Sequence, residues 1–282
     1  MVEPAPAVVV RTGPLAVLRV GQWLHLLPLP AAAMAPRDLP QQLPALAIGV
    51  AAAAGALAFA YGANALADRS TDLDAVKNPL VSADPTPLDV GVVAAAAALA
   101  LALGVGAGPR ACAAVLLSLA SAALYSLGPR AKVLPGLGTL LNVGIFAPLL
   151  LVAPAGLPLP AALPCWMAAF VALLLQNQLL HERADAAEDA HAGTLTTGRW
   201  LGESGTRRLA AVVGLVGSAV ATALAPDVGL AMATTAALGT AAVLCLAAPG
   251  PAAVRRVLHR RFAIVAGAIL YATGHAAGAG PS

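Results

Sequence analysis

The stretch "AAFVALLLQNQLLHERADAAEDAHAG", residues 168–193, decides how the chain is read. Its first half is apolar enough to sit in lipid. Its second half sets His181, Glu182, Asp185, Glu188 and Asp189 directly behind that run. Whether the run is a membrane span depends on what surrounds it.

The surroundings are more apolar still. Of 282 residues, 60% are hydrophobic and only 10% charged, with a mean hydropathy of +0.84. Soluble domains carry about a quarter charged residues, so this composition cannot cover a water-facing body of this size. Ala, Leu, Val and Gly dominate, and small residues let membrane helices approach closely. Cys112, Cys165 and Cys245 lie in apolar stretches with no ligand-spaced partner, so they read as small core hydrophobes. The opening "MVEPAPAVVVRTGP" has acid and prolines where a signal peptide needs a basic start, so residues 1–13 are expected to form a short cytoplasmic tail.

A membrane helix needs about 20 mostly apolar residues. Such stretches fall at 14–35, 43–65, 88–107, 110–127, 137–155, 160–180, 207–225, 227–248 and 262–280. The first is the least regular, with Arg19, Gln22 and His25 inside it; Pro226 and Asp227 separate the seventh from the eighth. The expected fold is all-α: one integral-membrane domain over 1–282, a bundle of about nine transmembrane helices. Most Lys and Arg residues fall before the first span or in the loops after the second, fourth, sixth and eighth; only Arg37 and Arg110 fall in the others. By the positive-inside rule those loops and the N-terminus are cytoplasmic.

Acids gather at the same mouth. In "NALADRSTD", Asn64, Asp68 and Asp72 recur every four residues, and so do His181, Asp185 and Asp189. If the helices run on, each set stacks on one face within about 6 Å, and stacked carboxylates invite a cation. Oxygen ligands without Cys suit Mg²⁺, typically held by one or two carboxylates plus substrate phosphates. Two acidic columns across the bundle axis would hold two ions on a diphosphate. Gly193 stands where the second helix would end. His181, flanked by apolar residues, reads as a packed or supporting group at that site. Tyr125, Arg130 and Lys132 in "LYSLGPRAKVLPGLGTLLN" supply the hydrogen-bond donor and the two cations that a leaving diphosphate needs. Gln22, Trp23, His25, Gln176, Asn177 and Gln178 are polar at membrane depth, which suits either function or interhelical hydrogen bonding.

"NALADRSTD" resembles the first Asp-rich motif of the UbiA superfamily of intramembrane prenyltransferases, and "DAAEDAHAGTLTTGRWLG" resembles its second. "YSLGPRAK" and "PGLGTLLN" are similar to the segment between them, so the resemblance spans nearly the whole chain. Ala65 stands where the family often has Asp, "KNPL" lacks the usual Arg-Pro, and His181 replaces an Asp or Asn. Asp74 is a further acid in the first loop.

The resemblance implies a cytoplasmic cap over a central cavity in the inner membrane. It implies Mg²⁺-dependent ionisation of a polyprenyl diphosphate to an allylic carbocation, and prenyl transfer to an unidentified acceptor. Asp68, Asp72, Asp185 and Asp189 would hold the metal; Asn64, Tyr125, Arg130, Lys132 and His181 would bind substrate. The partners implied are that diphosphate, the acceptor and the lipid bilayer, with no nucleic acid. A membrane terpene cyclase would use the same metal site without an acceptor. A transporter or scaffold fits less well, because transporter sites lie near the midplane.

Overall fold

The computed structural model describes residues 13–34, 39–72, 75, 77–81, 83–128, 130–152, 159–247 and 263–277. The helices are α1 (Leu39–Asp68), α2 (Pro87–Ala107), α3 (Pro109–Ser126), α4 (Leu137–Phe146), α5 (Leu163–Ala184), α6 (Ala186–His191), α7 (Thr197–Ala223), α8 (Val228–Ala247) and α9 (Ala263–Ala277). There is no strand among the described residues.

Among the described residues five helices are long and apolar enough to cross a membrane: Gln42–Asp68, Pro87–Ala107, Pro109–Ser126, Leu163–Ala184 and Val228–Ala247. Leu137–Leu151 and Ile264–Gly274 are shorter apolar helices. The expected span 207–225 overlaps the second part of α7, which ends at Ala223 and whose first half carries Arg199, Glu203, Arg207 and Arg208.

The expected first span differs. Residues 14–33 form 3₁₀ stretches at Pro14–Leu18, Leu24–Leu26 and Leu29–Ala33, with one α-helical turn at Val20–Trp23. Pro14, Pro28 and Pro30 lack the N–H a continuous helix needs, and Arg19 is left-handed at φ 52°, a conformation that breaks helical register. This segment folds inward instead, and Trp23 donates its indole N–H to the Leu18 carbonyl at 2.7 Å.

Where helices stop follows local chemistry. Thr86 and Asp89 form a reciprocal capping box at α2 behind Pro87. Gly108 at φ 110° turns α2 into α3. Asp227 accepts the Leu230 N–H at 2.8 Å, so the Pro226–Asp227 break opens α8 as expected.

The bundle has two halves. Ala52, Ala53, Ala56, Leu57 and Ala60 of α1 pack with Ala96 and Ala100 of α2, Ala111, Ala114 and Val115 of α3, and Ile145 and Phe146 of α4. In the second half Ala162, Leu163, Cys165, Trp166 and Ala169 pack with Ala221, Leu230, Leu238 and Leu270. Cys165 and Cys245 sit inside such cores, and no disulfide joins the described cysteines. Close approach requires small residues: a Cβ on Gly55 would stand 2.9 Å from the Ala96 carbonyl oxygen.

Large apolar side chains face outward, among them Leu99, Leu117, Val212, Leu215, Val216, Met232 and Val243. Lipid is the solvent that suits this outer face. Gln176, fully buried, donates to the Ala210 carbonyl at 2.9 Å and joins α5 to α7, the interhelical role considered for it. The loops after α1, α3 and α5 converge at one end of the bundle, where the two halves are joined by ion pairs and hydrogen bonds.

Candidate active site

Asp68 is the last residue of α1 and is buried. Its Oδ1 takes the Arg130 guanidinium at 2.7 Å, and its Oδ2 takes the Lys132 ammonium. Both cations lie just beyond α3, which brings that loop against the end of α1. Arg130 is left-handed at φ 48°, so the backbone turns sharply where the guanidinium is aimed.

The spacing of four is realised differently in the two acid clusters. The helix stops at Asp68, and Asp72 lies in the following turn, although its N–H still reaches the Asp68 carbonyl at 2.8 Å. Asp72 is held by Asn78, whose amide donates to Asp72 Oδ2 at 2.8 Å and to the Ala65 carbonyl at 3.0 Å. Burial pushes the Asp72 carboxyl above its ordinary range; the Asn78 hydrogen bond opposes this and the Asp68 charge adds to it. Asn64, one turn before Asp68, takes the hydroxyl of Ser126 at the end of α3 at 3.4 Å. Asp74 lies outside the described residues, as do Arg11, Arg37, Arg255, Arg256, Arg260 and Arg261.

In the second cluster the column persists through a break. The Asp185 N–H bonds the His181 carbonyl at 3.0 Å and the Asp189 N–H the Asp185 carbonyl at 2.9 Å, across the junction of α5 and α6. Left-handed Gly193, at φ 69°, ends the run where the sequence marks it. Asp189 takes the Thr196 hydroxyl at 3.0 Å. Burial raises the Asp189 carboxyl too; Thr196 and Thr194 oppose this and the Asp185 charge adds to it. His181 Nδ1 lies 3.1 Å from Asp185 Oδ2.

Lys77, a residue with no assigned role in the motif reading, joins the clusters. It reaches from the first loop to Asp185 Oδ2 at 3.1 Å and Glu188 Oε2 at 2.9 Å. Burial alone would lower its ammonium, but the hydrogen bonds and charges of Glu188 and Asp185 outweigh it and hold it above its ordinary value. Tyr125 hydrogen-bonds Gln178 and lies within electrostatic range of Glu182, Asp68 and Asp189. Arg19 stacks over Tyr61 at 5.6 Å, donates to Gln22 at 2.6 Å and feels the charges of Asp72 and Asp68. Gln22 in turn donates to the Lys77 carbonyl at 3.0 Å. The irregular first segment therefore supports the acid-bearing loop. A separate hollow of about 330 Å³, lined by Glu203, Ser204, Arg207, Arg208 and Leu246, contains none of the expected site residues.

The donor set fits a hard divalent cation. The acids offer oxygen alone, and a cation removes the cost of keeping Asp72 and Asp189 ionised while partly buried. Among the described residues no three His, Cys, Asp or Glu gather closely enough to hold an ion unaided. An ion held here would need further oxygens from its ligand.

Comparison with known proteins bears on this arrangement. Residues 26–262 match the UbiA prenyltransferase family. The chain belongs to that family. Solved structures of a UbiA homologue from Archaeoglobus fulgidus, bound to GPP and Mg²⁺ or to DMAPP and Mg²⁺, share 20% and 19% identity with it. Each comparison covers 93% of this chain and 98% of the other, with a TM-score of 0.72. A digeranylgeranylglyceryl phosphate synthase structure shares 11% identity over the same extents, with a TM-score of 0.71. These likenesses establish the UbiA fold for the chain. No curated protein matches by sequence.

Proposed function

We propose that this UbiA-family membrane protein transfers a prenyl group from a polyprenyl diphosphate to an acceptor, in a Mg²⁺-dependent reaction. One observation carries the reading: two acid-bearing turns and the cations Arg130, Lys132 and Lys77 converge at one end of an apolar bundle. The A. fulgidus homologue's binding of GPP or DMAPP with Mg²⁺ supports the choice of ligand.

Asp68, Asp72, Asp185 and Asp189 would hold Mg²⁺, which neutralises the charge that builds on a leaving diphosphate. Arg130 and Lys132 then leave Asp68 for phosphate oxygens, keeping two charge-assisted hydrogen bonds in a new place. Tyr125 donates its hydroxyl to the departing group, and Asn64 and His181 support the ligand set on either side. The allylic C–O bond breaks with its electron pair on the diphosphate. The resulting cation is shielded from water by the apolar bundle until the acceptor's electron pair forms the new bond and the acceptor releases a proton. By the positive-inside rule the acid mouth would face the cytoplasm of the inner membrane, since the segments after α1, α3 and α5 carry Arg69, Lys77, Arg130, Lys132 and Arg199.

The test is the full chain in nanodiscs, offered C10 to C20 prenyl diphosphates with and without Mg²⁺, followed by diphosphate release and mass spectrometry of extracts. Release that needs both Mg²⁺ and an added acceptor extract is the expected result. A cyclic hydrocarbon or alcohol formed without acceptor would replace transfer with cyclisation. Absence of both release and Mg²⁺-dependent diphosphate binding would overturn the reading.

A further inference from the structure

Glu182 is an acid at the site that neither acid column uses. It is 7% exposed and receives only neutral donors. Oε1 accepts the Thr139 hydroxyl at 2.9 Å and the Gln178 amide at 3.1 Å, and Oε2 accepts the Gly198 N–H at 3.0 Å. Those donors come from three helices, α4, α5 and α7. A buried carboxylate is costly unless such donors surround it, and three occupied positions leave it poorly placed to bind an ion.

The chain of hydrogen bonds continues with a fixed direction. The Gly136 N–H donates to Thr197 Oγ1 at 2.9 Å, and Thr197 and Thr139 hydroxyls lie 2.8 Å apart. Thr139 has one hydroxyl proton and gives it to Glu182, so Thr197 must donate to Thr139. Every link from Gly136 to Glu182 thus points the same way, and the series terminates on a group that only accepts. Such a directed series is mutually reinforcing. Its first link lies in the turn that carries Lys132, and its last lies on the helix that delivers Asp185.

Packing holds the same two places. A Cβ on Gly198 would stand 2.5 Å from the Arg183 nitrogen, and one on Gly138 would stand 2.6 Å from the Lys132 carbonyl oxygen. The backbone of each turn is pressed against its neighbour.

We propose that Glu182 is a positioning residue that sets the spacing between the Lys132 turn and the Asp185–Asp189 turn through the hydroxyls of Thr139 and Thr197. The inference rests on the reading of that end as a diphosphate site. Glutamine cannot replace it. With its amide nitrogen at the Oε1 position it faces the Thr139 hydroxyl and the Gln178 amide, both donors, and with that nitrogen at the Oε2 position it opposes the Gly198 N–H.

The experiment is hydrogen–deuterium exchange of the full chain in nanodiscs, for wild type, Glu182→Gln, Thr139→Val and Thr139→Ser, with Mg²⁺-dependent binding of geranyl thiolodiphosphate measured in parallel. Expected is faster exchange over 131–138 and 197–199 in Glu182→Gln and Thr139→Val, no change in α1–α3, and recovery in Thr139→Ser. Binding should weaken about 10-fold or more in the first two variants, the range found when groups supporting metal ligands are removed. Unchanged exchange over 131–138 in Thr139→Val would overturn the proposal. So would uniformly faster exchange in both Thr139 variants, which marks a general loss of stability. Wild type that binds no prenyl diphosphate would overturn the functional reading, while the exchange pattern still decides whether Glu182 sets the spacing of the two turns.

Discussion

The two acid turns solve one electrostatic problem by different means. After α1, Asp68 is neutralised by two full cations from the α3 loop, and Asp72 is hydrogen-bonded by a buried amide. After α5, Asp189 relies on a hydroxyl of its own turn, and Asp185 borrows Lys77 from the first loop. The first turn takes its cations from the α3 loop; the second takes Lys77 from the first. That asymmetry makes Lys77 the bridge between the two acid turns.

Breaking the shared acid should have the largest effect. Asp68→Asn leaves Arg130 and Lys132 facing a neutral amide and removes a proposed metal oxygen. Diphosphate release should fall on the order of 10²–10³-fold, as when a single group stabilising transition-state charge is lost. Chelation with EDTA should abolish release in wild type and be reversed by added Mg²⁺.

Asn78→Ala should act on stability. Asn78 has no exposed surface and satisfies Asp72, the Ala65 carbonyl and the Leu80 N–H. Losing it strands buried partners at a cost of about 1–3 kcal/mol, visible as a lower unfolding midpoint in nanodiscs. A midpoint equal to wild type would remove Asn78 as the support of the first turn.

Lys77→Met sharpens the comparison. Its side chain and those of its partners are about a quarter to a third exposed, so screening holds its worth to about 1 kcal/mol. Prenyl diphosphate should bind about fivefold more weakly, with the deficit shrinking at high salt. Tighter binding would show that the bridge acts as a latch on the empty site. Thr196→Val should cost least, about a single neutral hydrogen bond to Asp189, read as a small rise in the Mg²⁺ concentration for half-maximal release.

The bundle is legible because apolar length is a local property. The stretches that became α1, α2, α3, α5 and α8 can be marked without knowing their neighbours. The segment 14–35 misleads by the same measure, since hydropathy is blind to Pro14, Pro28, Pro30 and a left-handed Arg19. The four-residue spacing reads true from His181 to Asp189. It overextends α1 at Asp72, because nothing local announces a helix stop at Asp68. Lys77 and Glu188 are 111 positions apart, and only tertiary folding brings them together. The Glu182 series is invisible for the same reason: Thr139 and Thr197 gain meaning only as neighbours.

The alanine and glycine seams between α1 and α2 constrain what the protein can become. A wall of methyl groups has nothing left to trim and no space for an added one: Gly62 already faces Val93 at 2.5 Å from where a Cβ would stand. Sequence drift is therefore tolerated mainly on the lipid-facing side. A descendant with a new appetite would have to alter the loops and helix ends, leaving the trunk as it is.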